Sequence, residues 1–194
     1  MTRQVLITLG SIALIAGVAS GDEKKKPAAQ DPMAAMAKYA TAGAQHKMLR
    51  TLVGTWSCAG TWWLAPGKPP LQTTTSAEFK PIGDLWVVED ASGNFMGQPF
   101  TGHGVYGYDI AKSKYVSTWV DSMGSFIVNA EGSADATGKV ISYEMNDFDP
   151  MTAKRNTMHQ SMKFDSNDKH TVTMFKVGPD GREAKLAELV YTRK

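Results

Sequence analysis

Two patterns of apolar and polar residues divide the chain at Gly54. Before it, residues 33–52 carry apolar side chains at helical spacing, and Asp31-Pro32 supplies an N-cap followed by proline at the first helical position. Gly43 weakens the middle of this stretch, which therefore predicts either one leading helix or two short ones. After Gly54 the apolar residues recur with a period of two, which is typical of β-strands that bury one face.

About ten strands are predicted after Gly54, each bounded by turn residues, for example Pro66-Gly67, Gly93-Asn94 and Asp149-Pro150. Their ranges are 55–64, 71–80, 84–91, 102–109, 114–121, 125–132, 139–147, 154–165, 169–177 and 183–193. The short connections favour hairpins between sequential strands, and closure of such a meander into a barrel removes its unpaired edges. We therefore predict an all-β fold over residues 32–194. It is a roughly ten-stranded antiparallel up-and-down barrel, with the leading helix at 33–52.

The N-terminal segment has the features of an export signal. Residues 1–21 contain Arg3, an apolar run and a small-residue cleavage site, and the run is shorter than the ~20 residues that a spanning helix needs. Residues 22–31 are too polar to bury apolar surface and predict a disordered tether. The single cysteine, Cys58, lies far beyond the cleavage point, so neither lipid attachment nor an intramolecular disulfide is expected. The prediction is a periplasmic or secreted protein with no membrane attachment after cleavage.

Charge and histidine spacing exclude several classes of partner. The formal net charge is only +2, and no basic run occurs in the predicted barrel, so no nucleic-acid partner is expected. The four histidines do not have the close spacing of metal ligands, and no metal site is predicted.

Three motifs resemble catalytic or binding motifs but are better explained by structural roles. Residues 102–107 match G-x-G-x-x-G, but a turn follows instead of the helix that a dinucleotide site requires, so these glycines indicate close packing. Cys58 falls on an inward face and is interpreted as a small core residue. Glu89 and Asp90 lie on opposite faces of a strand and cannot converge as an acid–base pair. With no nucleophile beside an identifiable base, the sequence favours a protein that is not an enzyme.

Gly54-Thr55-Trp56, at the junction of helix and first strand, resembles the G-x-W signature of lipocalin-like barrels. In that superfamily the tryptophan packs across the barrel base and a basic residue near the last strand stacks over it. By this resemblance, Gly54, Trp56 and Arg193 would close the barrel base.

A longer set of segments resembles the bacterial family known as domain of unknown function 1579, over residues 31–194. The matching segments are His46-Lys47-Met48-Leu49, Gly97-Gln98-Pro99-Phe100, Gly107-Tyr108-Asp109, residues 114–124, Asp180-Gly181 and Tyr191-Thr192-Arg193. The resemblance implies a barrel related to lipocalins, fatty-acid-binding proteins and nitrobindin, and it implies no particular activity.

The nitrobindin relationship raises the question of haem, which those barrels carry on a histidine in the final strands. Here the last predicted strand, 183–193, contains no histidine. His170 begins the preceding strand and His159 faces outward, and the histidines are interpreted as surface or helix-end groups. No cofactor is therefore expected.

The inward faces of the predicted strands are rich in aromatic residues and methionine, which suits a lumen for a small apolar molecule. The predicted ligand-binding residues are Trp62, Trp86, Tyr106, Trp119, Met145, Met158 and Met162, with Asp121 orienting the ligand. An alternative is that these side chains fill the interior and leave a structural or protein-interaction module. Haem binding and an enzyme on the same scaffold are further alternatives.

Overall fold

The computed structural model describes residues 31–65, 67–149 and 153–194. The predicted signal peptide (1–21) and all but the last residue of the predicted tether (22–31) lie outside the described residues. Pro66 and Pro150, which belong to two of the predicted turns, lie outside them as well.

Two short helices precede ten strands. The elements are α1 (Pro32–Ala40), α2 (Ala44–Arg50), β1 (Gly54–Trp62), β2 (Leu71–Ile82), β3 (Trp86–Phe95), β4 (Gln98–Asp109), β5 (Lys114–Asp121), β6 (Val128–Ala134), β7 (Val140–Asp149), β8 (Lys154–Ser166), β9 (Lys169–Val177) and β10 (Glu183–Arg193). Each strand pairs antiparallel with its sequence neighbours, and β1 also pairs with β10, which closes the barrel. The predicted fold class is confirmed.

One predicted turn is wrong. Gly93-Asn94 lies inside β3, where Gly93 pairs with Thr75 of β2. The turn follows at Met96-Gly97, which have positive φ angles of 53° and 81°. The Asn94 side chain stabilises it by accepting a hydrogen bond from the Gly97 backbone N–H at 2.8 Å. Asn94 therefore caps the turn from a position two residues before it.

The two helices differ in how they contact the barrel. Asp31 caps α1 by accepting a hydrogen bond from the Met33 backbone N–H at 3.0 Å, yet every side chain of α1 is exposed. Gly43 separates the helices, and α2 buries His46 and Leu49 against β3 and β4. Only α2 therefore helps to build the barrel core.

We call the barrel end covered by α2, where β1 begins and β10 ends, the base, and the opposite end the mouth. Alternate residues of each strand point inward, as the period of two predicts. In β5, where both faces carry apolar residues and the pattern is ambiguous, Tyr115 is the buried residue. Trp56 and Cys58, Tyr115, and Met158 and Met162 are the buried hydrophobic residues of β1, β5 and β8, respectively. A single core cluster therefore runs along the barrel interior.

Candidate functional site

The base is closed by a stack of Arg193 on Trp56. The guanidinium carbon lies 4.2 Å from the indole centroid, a cation–π distance. Arg193 also donates hydrogen bonds to the backbone oxygens of Val53, at 2.8 Å, and Thr51, at 2.7 Å. The Trp56 indole N–H donates to the Leu52 oxygen at 2.7 Å. The last strand is thus tied to the segment that joins α2 to β1.

Gly54 makes this closure feasible. Its φ of 135° is open to glycine and strained for other residues, and a Cβ atom at this position would overlap Arg193 Nη1. The glycine of the G-x-W signature therefore serves both the backbone bend into β1 and the passage of the arginine over the indole.

The interior changes from sealed at the base to open towards the mouth. Near the base, Trp56, Phe79 and Ile141 retain 1%, 2% and 0% of their accessible surface. Higher up, Tyr106 and Ala91 each retain 8%. These two inward-facing residues are therefore less tightly buried than the three at the base.

Many inward-facing residues nearest the mouth are only partly buried, whereas Ala187, which pairs with Trp62, retains 0% of its surface. The partly buried residues include Trp62, Phe95, Trp119, Val128, Met174 and Leu189. We call the interior of this mouth half the lumen. Its wall is mostly aromatic and aliphatic, with one sulfur-containing side chain, and solvent reaches it from the mouth.

Most of the predicted ligand-binding residues lie on inward faces. Tyr106, Met145, Met158 and Met162 are buried in the core cluster. Trp62 is partly buried in the lumen wall, where its indole N–H donates to Thr73 Oγ1 at 3.0 Å. The methionines lie deeper than a solvent-lined wall would place them, and Met162 retains only 1% of its surface.

Asp121 and Trp119 form a local pair at the mouth end of β5. The Trp119 indole N–H donates to Asp121 Oδ2 at 2.9 Å, and Oδ1 accepts from the Met123 backbone N–H at 2.8 Å. The indole lies against Gly102 and Gly104, where a Cβ atom would overlap it. The glycine motif of β4 thus makes room for an aromatic ring, as close packing predicts. Both oxygens of Asp121 are occupied by these local partners.

Trp86 requires a correction, because it lies on the outer face of β3 and cannot line the interior. It is 38% exposed, whereas its neighbour Val87 points inward and retains 1%. The indole covers Gly107 of β4 from outside, at a position where a Cβ atom would overlap the ring. An outer groove left by that glycine therefore accommodates the tryptophan.

The most unusual group in the interior is Glu89, which sequence reasoning did not assign to the site. Its side chain retains 1% of its surface. Oε2 accepts a hydrogen bond from Tyr106 Oη at 2.6 Å, and Oε1 accepts from Tyr191 Oη at 3.2 Å. Tyr191 is on β10, three strands away from β3, so this bond crosses the interior. Burial raises the pKa of Glu89 to about 7, and the two phenol hydrogen bonds oppose that rise.

Tyr143 adds a second polar group to the same region. Its hydroxyl is buried and has no hydrogen-bond partner within the described part of the chain. It lies near enough to Tyr106 to raise the pKa of that phenol electrostatically. We call Glu89, Tyr106, Tyr143 and Tyr191 the floor cluster, because they lie between the sealed base and the lumen.

Cys58 lies beside the floor cluster and interacts with Thr75 and Tyr191. Burial raises the pKa of its thiol to about 11, so the thiolate is scarce at neutral pH. The side chain retains 3% of its surface. The interpretation of Cys58 as a core residue is confirmed.

The interpretation of His170 as a surface group is wrong. It is the first inward residue of β9 and retains 1% of its surface. Its ring stacks on Tyr191, with centroids 4.3 Å apart and planes at 13°, and meets Trp56 edge-on at 4.6 Å. Neither ring nitrogen has a hydrogen-bond partner among the residues described. Burial, followed by the nearby Arg193 charge, lowers the pKa of His170 to about 3.

The other three histidines are engaged elsewhere. His46 Nδ1 accepts from the Gly43 N–H at 3.0 Å, which leaves Nε2 to donate to the Tyr108 oxygen at 3.2 Å. His103 and His159 pair with carboxylates on the outer surface. Since His170 is covered by the two rings it contacts, no described histidine presents a free nitrogen to the lumen, and these residues do not fit an interior haem.

Residues 31–65, 67–149 and 153–194 contain neither a cluster of metal ligands nor a membrane-spanning helix. No three histidine, cysteine, aspartate or glutamate side chains converge there as metal ligands. No helix in that part of the chain has the length and apolar character to cross a bilayer.

Two clefts lie outside the lumen. One, of about 420 Å³, is on the outer faces of β6, β7 and β8 and is lined by residues such as Glu144 and His159. The other, of about 730 Å³, lies at the mouth between residues 154–157 and 176–184. Both are lined mainly by polar side chains and differ from the lumen in that respect.

Comparison with known proteins places the fold. A family model described as "protein of unknown function (DUF1579)" matches residues 41–193. No curated protein matches the chain. Rv2717c from M. tuberculosis is 17% identical, with a TM-score of 0.57 over 79% of this chain and 99% of that one. The S-type phycobiliprotein lyase CPES from Guillardia theta is 9% identical, with a TM-score of 0.51 over 76% of this chain and 91% of that one. At these identities the likeness concerns the fold alone.

Proposed function

The chain belongs to the DUF1579 family, whose function is unknown, and from its geometry we propose that it is an exported protein that binds a small, mainly apolar molecule in the lumen. The observation that carries this proposal is the gradient of burial along the interior. Inward-facing Tyr106 and Ala91 keep 8% of their surface, whereas Trp56 below them keeps 1%.

The composition of the wall defines the class of ligand. Trp62, Phe95 and Leu189 offer apolar surface with no charge, and burying that surface stabilises a complex by about 25 cal/mol per Å². Met174 adds a flexible side chain that adapts to irregular ligands. A planar or aliphatic molecule with little charge along its length suits this wall.

Binding of Nile red, a neutral apolar dye, tests the proposal. We expect the dye to gain fluorescence with the purified chain, and Ala91→Leu to weaken its affinity by about ten-fold because the larger side chain projects into the lumen. Ser92→Leu is the matched control, since the adjacent side chain is exposed on the outer face. The proposal fails if the wild-type chain does not bind the dye, or if both variants weaken binding equally. The first result would favour the filled-barrel alternative.

Export and the absence of haem are separate parts of the proposal. Cleavage after residues 1–21 would leave a mature chain that begins at Asp22, which N-terminal sequencing of the periplasmic or secreted protein would reveal. Recovery of the uncleaved chain from the cytoplasm would contradict export. Because His170 is covered by its stacking partners, we expect no Soret band shift when haemin is added, and a shift that His170→Phe abolishes would contradict this expectation.

A further inference from the structure

The floor cluster contains a buried carboxyl group, and none of the described residues places a buried cation beside it. The charged groups that act on Glu89 are His103, which lowers its pKa, and Asp90, which raises it, and both project from the outer face of the barrel. Its two inward partners, Tyr106 and Tyr191, are neutral donors. An ionised carboxylate accepts about four hydrogen bonds, and the two tyrosines fill half of that capacity. Glu89 is therefore able to bind a further donor, and a positively charged one most strongly.

Tyr143 is an independent observation at the same level. Its buried hydroxyl lacks a partner within residues 31–65, 67–149 and 153–194, although burial of an unpaired hydroxyl costs about 1–3 kcal/mol. It lies near Tyr106, which in turn contacts Glu89. The interior thus holds two incompletely satisfied polar groups on opposite walls, β3 and β7.

The position of the cluster determines how a ligand would meet it. Tyr106 retains 8% of its surface and Tyr191 retains 7%, so both tyrosines are less tightly buried than Glu89, which retains 1%. Above the cluster, Trp62 and Leu189 lie against Gly60, and Trp119 lies against Gly104, at positions where a Cβ atom would crowd them. The head of a ligand would therefore pass between these side chains to reach Glu89. A ligand that entered head first would bring its polar end to Glu89 and leave its apolar body against the lumen wall.

We infer that the lumen binds an alkyl- or arylamine whose ammonium group is held by Glu89 and Tyr143, an inference that rests on the proposed function. The three N–H donors of an ammonium match the two carboxylate oxygens and the Tyr143 hydroxyl oxygen in number. The positive charge compensates the buried carboxylate, whereas a fatty-acid carboxylate would bring a second negative charge to it. An alcohol of the same length would supply one donor and no charge.

Displacement of Nile red by dodecylamine, dodecanol and dodecanoic acid, each below its aggregation threshold, tests this inference because the three share one apolar tail. We expect the amine to bind at least about ten-fold more tightly than the alcohol, and the acid to bind most weakly, since a charged hydrogen bond is roughly twice as strong as a neutral one. Equal affinity of all three would overturn the inference and leave the proposed function intact. Failure of the dye itself to bind would overturn both.

Variants identify the residues responsible. Glu89→Gln should abolish the preference for the amine, whereas Asp90→Asn, the same change on the adjacent outward side chain, should retain it. Tyr143→Phe should reduce the preference several-fold, and because that hydroxyl has no partner in the described chain, the variant should fold normally. Tyr143→Phe therefore still tests the assignment if Glu89→Gln does not fold. An amine preference that survives in Tyr143→Phe and in folded Glu89→Gln would refute the assignment.

Discussion

His170 allows the packing of the barrel base to be tested by titration. The ring is held between Tyr191 and Trp56, and Phe79 meets it edge-on at 5.9 Å. Substitution with phenylalanine keeps an aromatic ring in this stack and removes the two ring nitrogens that lack partners in the described residues. The variant therefore separates the packing of the ring from its ability to bind a proton.

The expected effect depends on pH in a defined direction. Burial and Arg193 lower the pKa of His170 from 6.5 to about 3, so the unfolded chain binds a proton between these values and the folded chain does not. Wild-type stability therefore falls as pH decreases from 6.5 to 3, and this contribution is absent above 6.5. At about pH 4 the loss amounts to roughly 3 kcal/mol, at 1.36 kcal/mol per pH unit.

Phenylalanine does not titrate, so the stability of His170→Phe relative to wild type should rise by about 3 kcal/mol between about pH 7.5 and pH 4. Carboxylates that titrate in the same range affect both chains and cancel in the difference. Urea unfolding followed by tryptophan fluorescence at both pH values measures it. The matched control is His159→Phe, on the outer face, where the change should stay below about 1 kcal/mol.

A stability difference that is the same at both pH values would refute the proposed burial of His170. An independent measurement covers the case in which the variant does not fold. In the wild-type protein, the NMR resonances of the His170 ring should not shift between about pH 8 and pH 5, because titration lies below that range. A titration near the ordinary histidine value would contradict the structure of the base.

Three further predictions follow from the same interior. Burial raises the pKa of Glu89 from 4.5 to about 7, so the wild-type protein loses stability as pH rises through that window. In urea unfolding, the stability of Glu89→Gln relative to wild type should therefore rise by about 3 kcal/mol between about pH 4 and pH 8. A difference that stays constant with pH would contradict this prediction. Gly54→Ala should lower the free energy of unfolding in urea by at least ~2 kcal/mol, because it combines a strained φ with overlap of Arg193. Gly138→Ala, at a positive φ with open space around it, should lower it less. Equal losses in the two variants would show that the overlap with Arg193 has no effect. Cys58 should react with a disulfide reagent at least ~100-fold more slowly in the folded chain than in urea, and rapid stoichiometric labelling of the folded chain would show that the thiol is accessible.

The strands were predictable because each has one buried face and a turn at each end. Both conditions leave a local signature, the alternation of apolar residues and the punctuation by glycine, proline or aspartate. The bounds of β5 and β9 agree with the pattern at both ends. At Gly93-Asn94 the local pattern predicted a turn, but the pairing of β3 with β2 keeps these residues within the strand.

The floor cluster was not predictable in the same way, because its members are distant in sequence. Glu89 and Tyr191 meet only when the barrel closes, and their 3.2 Å contact spans 102 residues of chain. A glutamate that alternates with Val87 and Ala91 does signal an inward carboxylate, and this signal was available in the sequence. The prediction that Trp86 lines the lumen was wrong for a different reason. An aromatic ring that covers a glycine on the outer face has the same local sequence pattern as one that faces inward.

The location of the interior polar groups indicates which of them serve the lumen. Apolar residues of similar volume often replace a buried charge without loss of stability, so stability alone does not require Glu89. His170 is equally buried, but its ring is packed between Trp56 and Tyr191 and makes no hydrogen bond among the described residues. Glu89 instead accepts hydrogen bonds from Tyr106 and Tyr191, beneath an apolar wall that is only partly buried. A polar floor under an apolar wall suits a ligand with one polar end, and this arrangement separates the floor cluster from the polar groups that belong only to the fold.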